Sequence, residues 1–125
     1  MSEKINKTFE EAFALAIQNH KNKNFQLAEN FYNECLKINS RSVDVYNNLG
    51  ILFNQLGKFQ ESMRSYEKAI EINPNYFEAH NNLGSALQFF GKMNLAVESY
   101  KKAIRIKPDF LDAQINLGVA LTELG

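Results

Sequence analysis

The sequence predicts an all-α chain built as a stacked helical solenoid, and three observations carry that expectation. The chain repeats itself every 34 residues: over 47–74 and 81–108 thirteen positions are identical, among them Gly50/Gly84, Tyr66/Tyr100, Ala69/Ala103 and Pro74/Pro108. Two unrelated segments of that length would share roughly two. Within each copy, apolar residues recur at helical spacing in two runs, divided by Gly57 or Gly91 and closed by Pro74 or Pro108. Small residues also recur at fixed places inside the runs, where two helices must approach closely. A period of this length marks a stacked-repeat architecture. Function in such a chain sits on a surface built by stacking, not in an enclosed pocket.

The elements follow in order. Residues 1–8 form an N-terminal tail, and one domain spans 9–125, divided into units at 9–42, 43–76, 77–110 and 111–125. In the first unit Thr8 and Glu11 match a capping box, which starts a helix near Phe9. Leu15, Phe25, Ala28, Tyr32 and Cys35 stand where Leu49, Phe59, Ser62, Tyr66 and Ala69 stand one period later. In the second unit Ser42 is the N-cap and Asp44 places a negative charge in the first turn, where it suits the helix dipole. Val45, Leu49, Leu52, Phe53 and Leu56 follow at helical spacing until Gly57 ends the helix. A second helix is expected over 60–72, with Met63, Tyr66, Ala69 and Ile70 on one face and Pro74 closing it. The third unit repeats this pattern. The fourth opens at Leu111 and stops at Gly125, after Asn116, Leu117, Gly118 and Leu121. Gly50, Gly84 and Gly118 lie inside first helices, where glycine costs up to about 1 kcal/mol relative to alanine. Close approach of the paired helix explains the column, with Tyr66 and Tyr100 as the expected neighbours.

Composition bounds the function. The chain has 125 residues, 45% hydrophobic and 22% charged, with a net charge of zero. A nucleic-acid partner therefore has no general electrostatic attraction to exploit. The longest apolar stretches are too short to span a bilayer, so no membrane role is expected. Met1 to Thr8 is polar and lacks the apolar core of a secretion signal, which makes a cytoplasmic location the expectation. Cys35 is the one cysteine and has no thiol to pair with; its column, shared with Ala69 and Ala103, makes it a small packing residue.

The pattern Asn-Asn-Leu-Gly, then Gly, Tyr, Ala and Pro at fixed intervals resembles the tetratricopeptide repeat, a helix–turn–helix unit of 34 residues. The resemblance covers 9–125. The first unit departs most, with Ala16 in the glycine column, Lys23 for the turn glycine and Ser40 for proline. The column where the family often has tryptophan holds Ala12, Tyr46, His80 and Gln114. The resemblance implies a right-handed superhelical solenoid of antiparallel helix pairs. It places first helices on a concave face, and it implies a non-enzymatic scaffold that binds a peptide or protein segment there.

Helical geometry drafts the groove from the polar residues opposite the leucine stripe. These are the columns Glu10, Asp44, Glu78 and Asp112; Asn47 and Asn81; Asn48, Asn82 and Asn116; and Asn54 and Gln88, with Ile17, Ile51, Ser85 and Val119 between them. A carboxamide both donates and accepts, so the Asn48/Asn82/Asn116 ladder can hold a peptide backbone without reading its side chains. A similar ladder lines the repeat domain of O-linked N-acetylglucosamine transferase. The alternative is that these amides bond to neighbouring helices. The acidic column reads either as helix-dipole complementarity or as the mark of a basic partner. Phe89, whose column otherwise holds Lys21 and Gln55, is expected to stand exposed as a hydrophobic anchor. Repeat domains that grip the C-terminal carboxylate of heat-shock chaperones use lysine, asparagine and arginine at positions matching Phe13, Ile17, Asn48, Glu78 and Asn82. Only Asn48 fits, and Glu78 would repel a carboxylate, so that ligand is rejected.

Chemistry finds little support. His80 sits at a packing position, and His20 is expected near a helix end and exposed. No cluster has metal-ligand spacing, no glycine-rich phosphate loop is present, and no cofactor is expected. The array breaks off after a first helix. Leu117, Leu121 and Leu124 are expected to pack back on the third unit, leaving Ile115 and Val119 without a second helix. Two explanations stand. The chain is the N-terminal substrate-recruiting arm of a larger enzyme, of sulfotransferase or glycosyltransferase type, or the C-terminal helix pairs with a second copy as a homodimer.

Overall fold

A computed structural model describes residues 7–125. Seven helices follow one another among the described residues, with no strand: α1 Phe9–Lys21, α2 Phe25–Ile38, α3 Val43–Gln55, α4 Phe59–Ile72, α5 Phe77–Phe89, α6 Met93–Ile106 and α7 Leu111–Leu124. The chain is an all-α solenoid in which α1/α2, α3/α4 and α5/α6 form antiparallel pairs and each pair stacks on the next. Among the described residues no helix is long and apolar enough to cross a membrane. Of the expected tail, residues 1–6 lie outside the described residues.

Local chemistry sets the helix ends. Thr8 Oγ1 accepts from the Glu11 backbone N–H at 3.1 Å while Glu11 Oε1 accepts from the Thr8 N–H at 3.3 Å, the reciprocal capping box. Ser42 Oγ accepts from Val45 N–H at 3.4 Å and starts α3. The first helices end alike. Lys58 N–H reaches Phe53 O at 2.8 Å and Gly57 N–H reaches Asn54 O at 3.1 Å, the Schellman pairing; Lys92 and Gly91 repeat it on Leu87 and Gln88. That geometry needs a left-handed residue, and Gly57 and Gly91 adopt φ of 76° and 75°. In the first unit Lys23 takes the same role at φ 62°, so the turn survives without its glycine. α4 starts at Phe59, one residue before the position read from the sequence.

Packing within a pair is close at the glycine columns. A Cβ on Gly84 would lie 2.7 Å from Tyr100 Cε1, and one on Gly50 would overlap the ring of Tyr66. The second helix thus seats a tyrosine on the first helix's backbone. Ser62, fully buried, donates from Oγ to the Gly50 carbonyl at 2.6 Å. Cys35 is buried within the core of Ala12, Ala16, Ala28, Tyr32, Val45 and Leu52. Burial, with Glu34 adding to it, pushes its thiol up to about 11, which keeps it protonated at neutral pH.

The last helix differs from the expectation. Ala113 and Ala120 are fully buried and Leu117 packs on the third unit, but Leu121 and Leu124 are about half exposed, at 47% and 46%. Leu121 points where a paired second helix covers Leu87 in the third unit, and among the described residues no helix follows α7; the Leu124 column is exposed in the earlier units too, at Leu56 and Phe90. Ile115 and Val119 are exposed, as expected of that flank.

The inner groove as candidate functional site

The first helices carry the polar columns, and the structure divides them into two sets. Asn47 and Asn81 do not face the groove, which corrects the reading from helical geometry: they are buried, 6% and 7% exposed. Asn82 Nδ2 donates to Asn47 Oδ1 at 3.0 Å, and Asn116 Nδ2 donates to Asn81 Oδ1 at 3.1 Å. Each bond runs from one first helix to the next, because residue i of one unit faces residue i+35 of the following unit. A burial-induced need for a partner explains the pairing, since an unpaired amide in the core would cost stability. Phe13 and Ile115 occupy the same column in the outer units and cannot continue the ladder. It therefore has two rungs among the described residues.

Asn82 and Asn116 each spend one donor on this ladder. Each keeps a second N–H and its carbonyl oxygen. Asn48, at the N-terminal end, makes no side-chain hydrogen bond among the described residues and lines a separate cavity with Ile17, His20, Lys21 and Gln55.

A second set of links runs along the same direction. His20 Nε2 lies 2.6 Å from Gln55 Oε1 and His20 Nδ1 lies 2.8 Å from the Tyr32 hydroxyl. With Gln55 Oε1 as acceptor the ring proton sits on Nε2, and Nδ1 accepts from Tyr32. His20 is thus a part-buried bridge between units, not an exposed helix-end residue as its position suggested. Two units on, Tyr100 donates to Gln88 Oε1 at 2.7 Å and Gln88 Nε2 donates to Glu123 Oε2 at 3.3 Å, in the same columns. Both sets join adjacent columns, residue i of one unit to residue i+35 of the next, so the pairing shows only once two units are stacked. Burial raises the Tyr32 and Tyr66 phenols to about 12 and raises Tyr100 as well.

Between α3, α5 and α7 the inner face opens into a concave cavity of about 790 Å³. Asn54, Asn82, Asn116 and Gln88 bring amides to it, Ile51 and Ser85 lie between them, and Phe89 and Glu123 complete it. Phe89 is 68% exposed and lies against Phe59 at 4.7 Å between ring centroids.

The acidic column does not line this cavity. Asp44 accepts a hydrogen bond from the Tyr76 hydroxyl at 2.5 Å, and burial together with that bond raises the Tyr76 phenol. Asp44, Glu78 and Asp112 each stand in a first helical turn, where the helix dipole favours them. His80 is buried and its Nε2 lies 2.7 Å from Pro74 O; Gln114 repeats the contact on Pro108 O at 2.6 Å. With Tyr46 donating to Ser40 O at 3.2 Å, that column ties α3, α5 and α7 to the turns before them. No group of His, Cys, Asp and Glu among the described residues could hold a metal.

The family model described as TPR repeat matches residues 52–88 and 91–125. Among solved structures, the Arabidopsis OM64 TPR domain superposes with a TM-score of 0.87 at 23% identity, covering 92% of this chain and 95% of that one. MamA gives 0.86 at 24% identity over 94% of this chain and 69% of its own. The first TPR of Spaghetti (RPAP3) bound to HSP90 peptide SRMEEVD gives 0.85 at 18% identity, covering 97% and 98%. These likenesses show the fold. Sperm-associated antigen 1 from Rattus norvegicus is 45% identical over 42 residues, which is 34% of this chain and 5% of that protein.

Proposed function

The chain belongs to the TPR-repeat family, and from that premise we propose that it is a non-enzymatic interaction module whose inner groove holds an extended segment of a protein partner. The observation that carries the reading is the cavity of about 790 Å³ across α3, α5 and α7, into which Asn54, Asn82 and Asn116 all bring carboxamides. Asn82 and Asn116 are held in place by Asn47 and Asn81, so their spare donors and acceptors are preorganised for a peptide backbone. Asn54 has no side-chain partner among the described residues. A peptide complex of a similarly folded domain, the Spaghetti repeat with its HSP90 peptide, supports segment binding as the class of activity. The chaperone tail itself is not the ligand proposed, because Phe13, Ile17 and Glu78 stand where its cationic and amide contacts would be needed.

A peptide-array screen followed by fluorescence anisotropy tests this. Asn54→Ala removes an amide with no structural partner, and Asn82→Ala removes a ladder donor as well. Both are expected to weaken every bound segment about fivefold or more, at about 1 kcal/mol per lost hydrogen bond. Unchanged affinity in Asn54→Ala, with the melting curve unaltered, would sink the groove reading.

The apolar flank of α7 favours a second reading, homodimerisation. Leu111, Ile115 and Val119 are 61%, 55% and 47% exposed along one helix. Sedimentation equilibrium over a wide concentration range tests it, and a monomer throughout would reject it.

A further inference from the structure

The second set of i+35 links, through the columns of His20 and Gln55, is not uniform, and the one gap in that set coincides with the cavity. In the same pair of columns, His20 meets Gln55 across the first junction and Gln88 meets Glu123 across the third. At the middle junction the pair is Asn54 and Phe89, and a phenyl ring cannot accept the link. Phe89 turns instead onto Phe59, with ring planes 31° apart, and lies 5.6 Å from the Phe90 ring. The polar strut is replaced by an aromatic wall that leaves Asn54 free and the inner face open.

Charge in the cavity is one-sided. Glu123 lines it, with one carboxylate oxygen accepting from Gln88, and no lysine or arginine among the described residues does so. The ion pairs among the described residues, Lys68–Glu71 and Lys107–Asp109, involve no carboxylate of this cavity. A partner must therefore supply the positive charge.

We propose that this cavity selects a partner segment in which a large apolar side chain stands directly beside a lysine or arginine, the apolar group covering Phe89 and the cation meeting Glu123. This rests on the groove reading above and adds side-chain selectivity to it. An apolar side chain gains by leaving water against a phenyl that is itself 68% exposed. The cation gains a carboxylate already oriented by Gln88.

The test uses the whole chain and three blocked, fluorescein-labelled Gly/Ser octapeptides that differ only at two central positions: Lys-Phe, Glu-Phe and Lys-Gly. Anisotropy titrations are expected to show the Lys-Phe peptide binding about tenfold tighter than either control, the scale of one covered apolar side chain against Lys-Gly and of one charge-assisted contact against Glu-Phe. Its affinity is expected to fall as salt rises. Phe89→Gln installs the residue type its column holds at Gln55, so the fold is retained, and it is expected to abolish the preference for Phe over Gly. Glu123→Gln keeps an acceptor for Gln88 and is expected to abolish the preference for Lys over Glu and the salt response. Equal affinity for all three peptides, a preference for Glu-Phe, no binding by any of them, or selectivity that survives Phe89→Gln would each overturn the proposal. Equal affinities that all fall in Asn54→Ala would overturn the selectivity while leaving the groove reading intact.

Discussion

α5 and α7 carry the same residue at six matched positions, Ala79/Ala113, Asn82/Asn116, Leu83/Leu117, Gly84/Gly118, Ala86/Ala120 and Leu87/Leu121, yet the glycine and the second leucine do not keep the same surroundings. Gly84 is buried against Tyr100, whereas a Cβ on Gly118 would meet nothing within 4 Å. Leu87 packs on Ala96, Val97 and Tyr100, while Leu121 is 47% exposed. The difference is α6, which covers α5 and has no counterpart over α7 among the described residues. A column in this chain therefore fixes what a residue can do, and the neighbouring helix decides whether it does so. Inner-face residues such as Asn82 and Asn116 need no second helix, so they behave alike in both units. Outer-face residues do not.

Substitution at the glycine column separates the two regions most strongly. Tyr100 is fully buried and its hydroxyl is held by Gln88 at 2.7 Å, so its ring has nowhere to move. Gly84→Ala is expected to destabilise the chain by about 2 kcal/mol, the usual scale of overpacking. Gly50→Ala should cost at least as much, since its Cβ would overlap Tyr66 more severely. Urea denaturation midpoints measure both. A neutral Gly84→Ala would show that the tyrosine seat is loose and would remove the contrast with α7.

The seated tyrosines also predict a pH dependence that α7 does not share. Burial favours the neutral phenol, so Tyr32 and Tyr66 ionise at about 12 in the folded chain against 10.0 for the free group. The unfolded chain then loses these protons first. The stability the phenols contribute is fully present below pH 10 and is lost as pH rises from 10 towards 12. Thermal melts across that window should fall by several degrees. Replacing Tyr100 by Phe should make the fall shallower, because that phenol is raised too. A melting temperature that stays flat from pH 9 to about 12 would contradict the seats.

Gly118→Ala is the counter-experiment, with the opposite sign and a smaller size. Nothing opposes the new methyl, so the helix propensity of alanine remains, a gain of up to about 1 kcal/mol. A loss at Gly118 would mean that something covers α7 in solution. The measurement thereby also reports on the dimer, if repeated at high and low protein concentration.

How much of this was legible in the sequence follows from the same comparison. The helices, their turns and the tyrosine–glycine seats repeat within one unit, so superposing copies finds them: Ser42, Gly57, Gly50 with Tyr66 all stood where the pattern put them. The burial of Asn47 and Asn81 was not legible from a single helix, because a polar side chain opposite a leucine stripe reads as exposed. Its partner lies in the next unit, 35 residues on, and only the stacking of two units shows that it is enclosed. His20 failed for the same reason: its partners are Tyr32 and Gln55, one on the paired helix and one on the following unit. Phe89 was legible as an exception because its column is otherwise polar, but the wall it builds with Phe59 joins two units and needed the fold.

The smallest effect tests the column rule at the turns instead of the helices. Lys23 sits at φ 62° where Gly57 and Gly91 sit at 76° and 75°, with the same pair of backbone bonds, here Asn24 N–H to Asn19 O at 2.8 Å and Lys23 N–H to His20 O at 3.1 Å. A side chain in the left-handed region costs about 1–2 kcal/mol, and glycine gives back part of that through a more flexible unfolded chain. Lys23→Gly is therefore expected to stabilise the first unit by about 0.5 kcal/mol, read as a small rise in urea midpoint. The substitution lies on an exposed turn next to the Asn48 cavity, so it should leave Lys-Phe peptide binding at the α3–α5–α7 cavity unchanged. A destabilised Lys23→Gly would mean that the lysine side chain holds the turn through contacts of its own, and that position in the array does not set the backbone there.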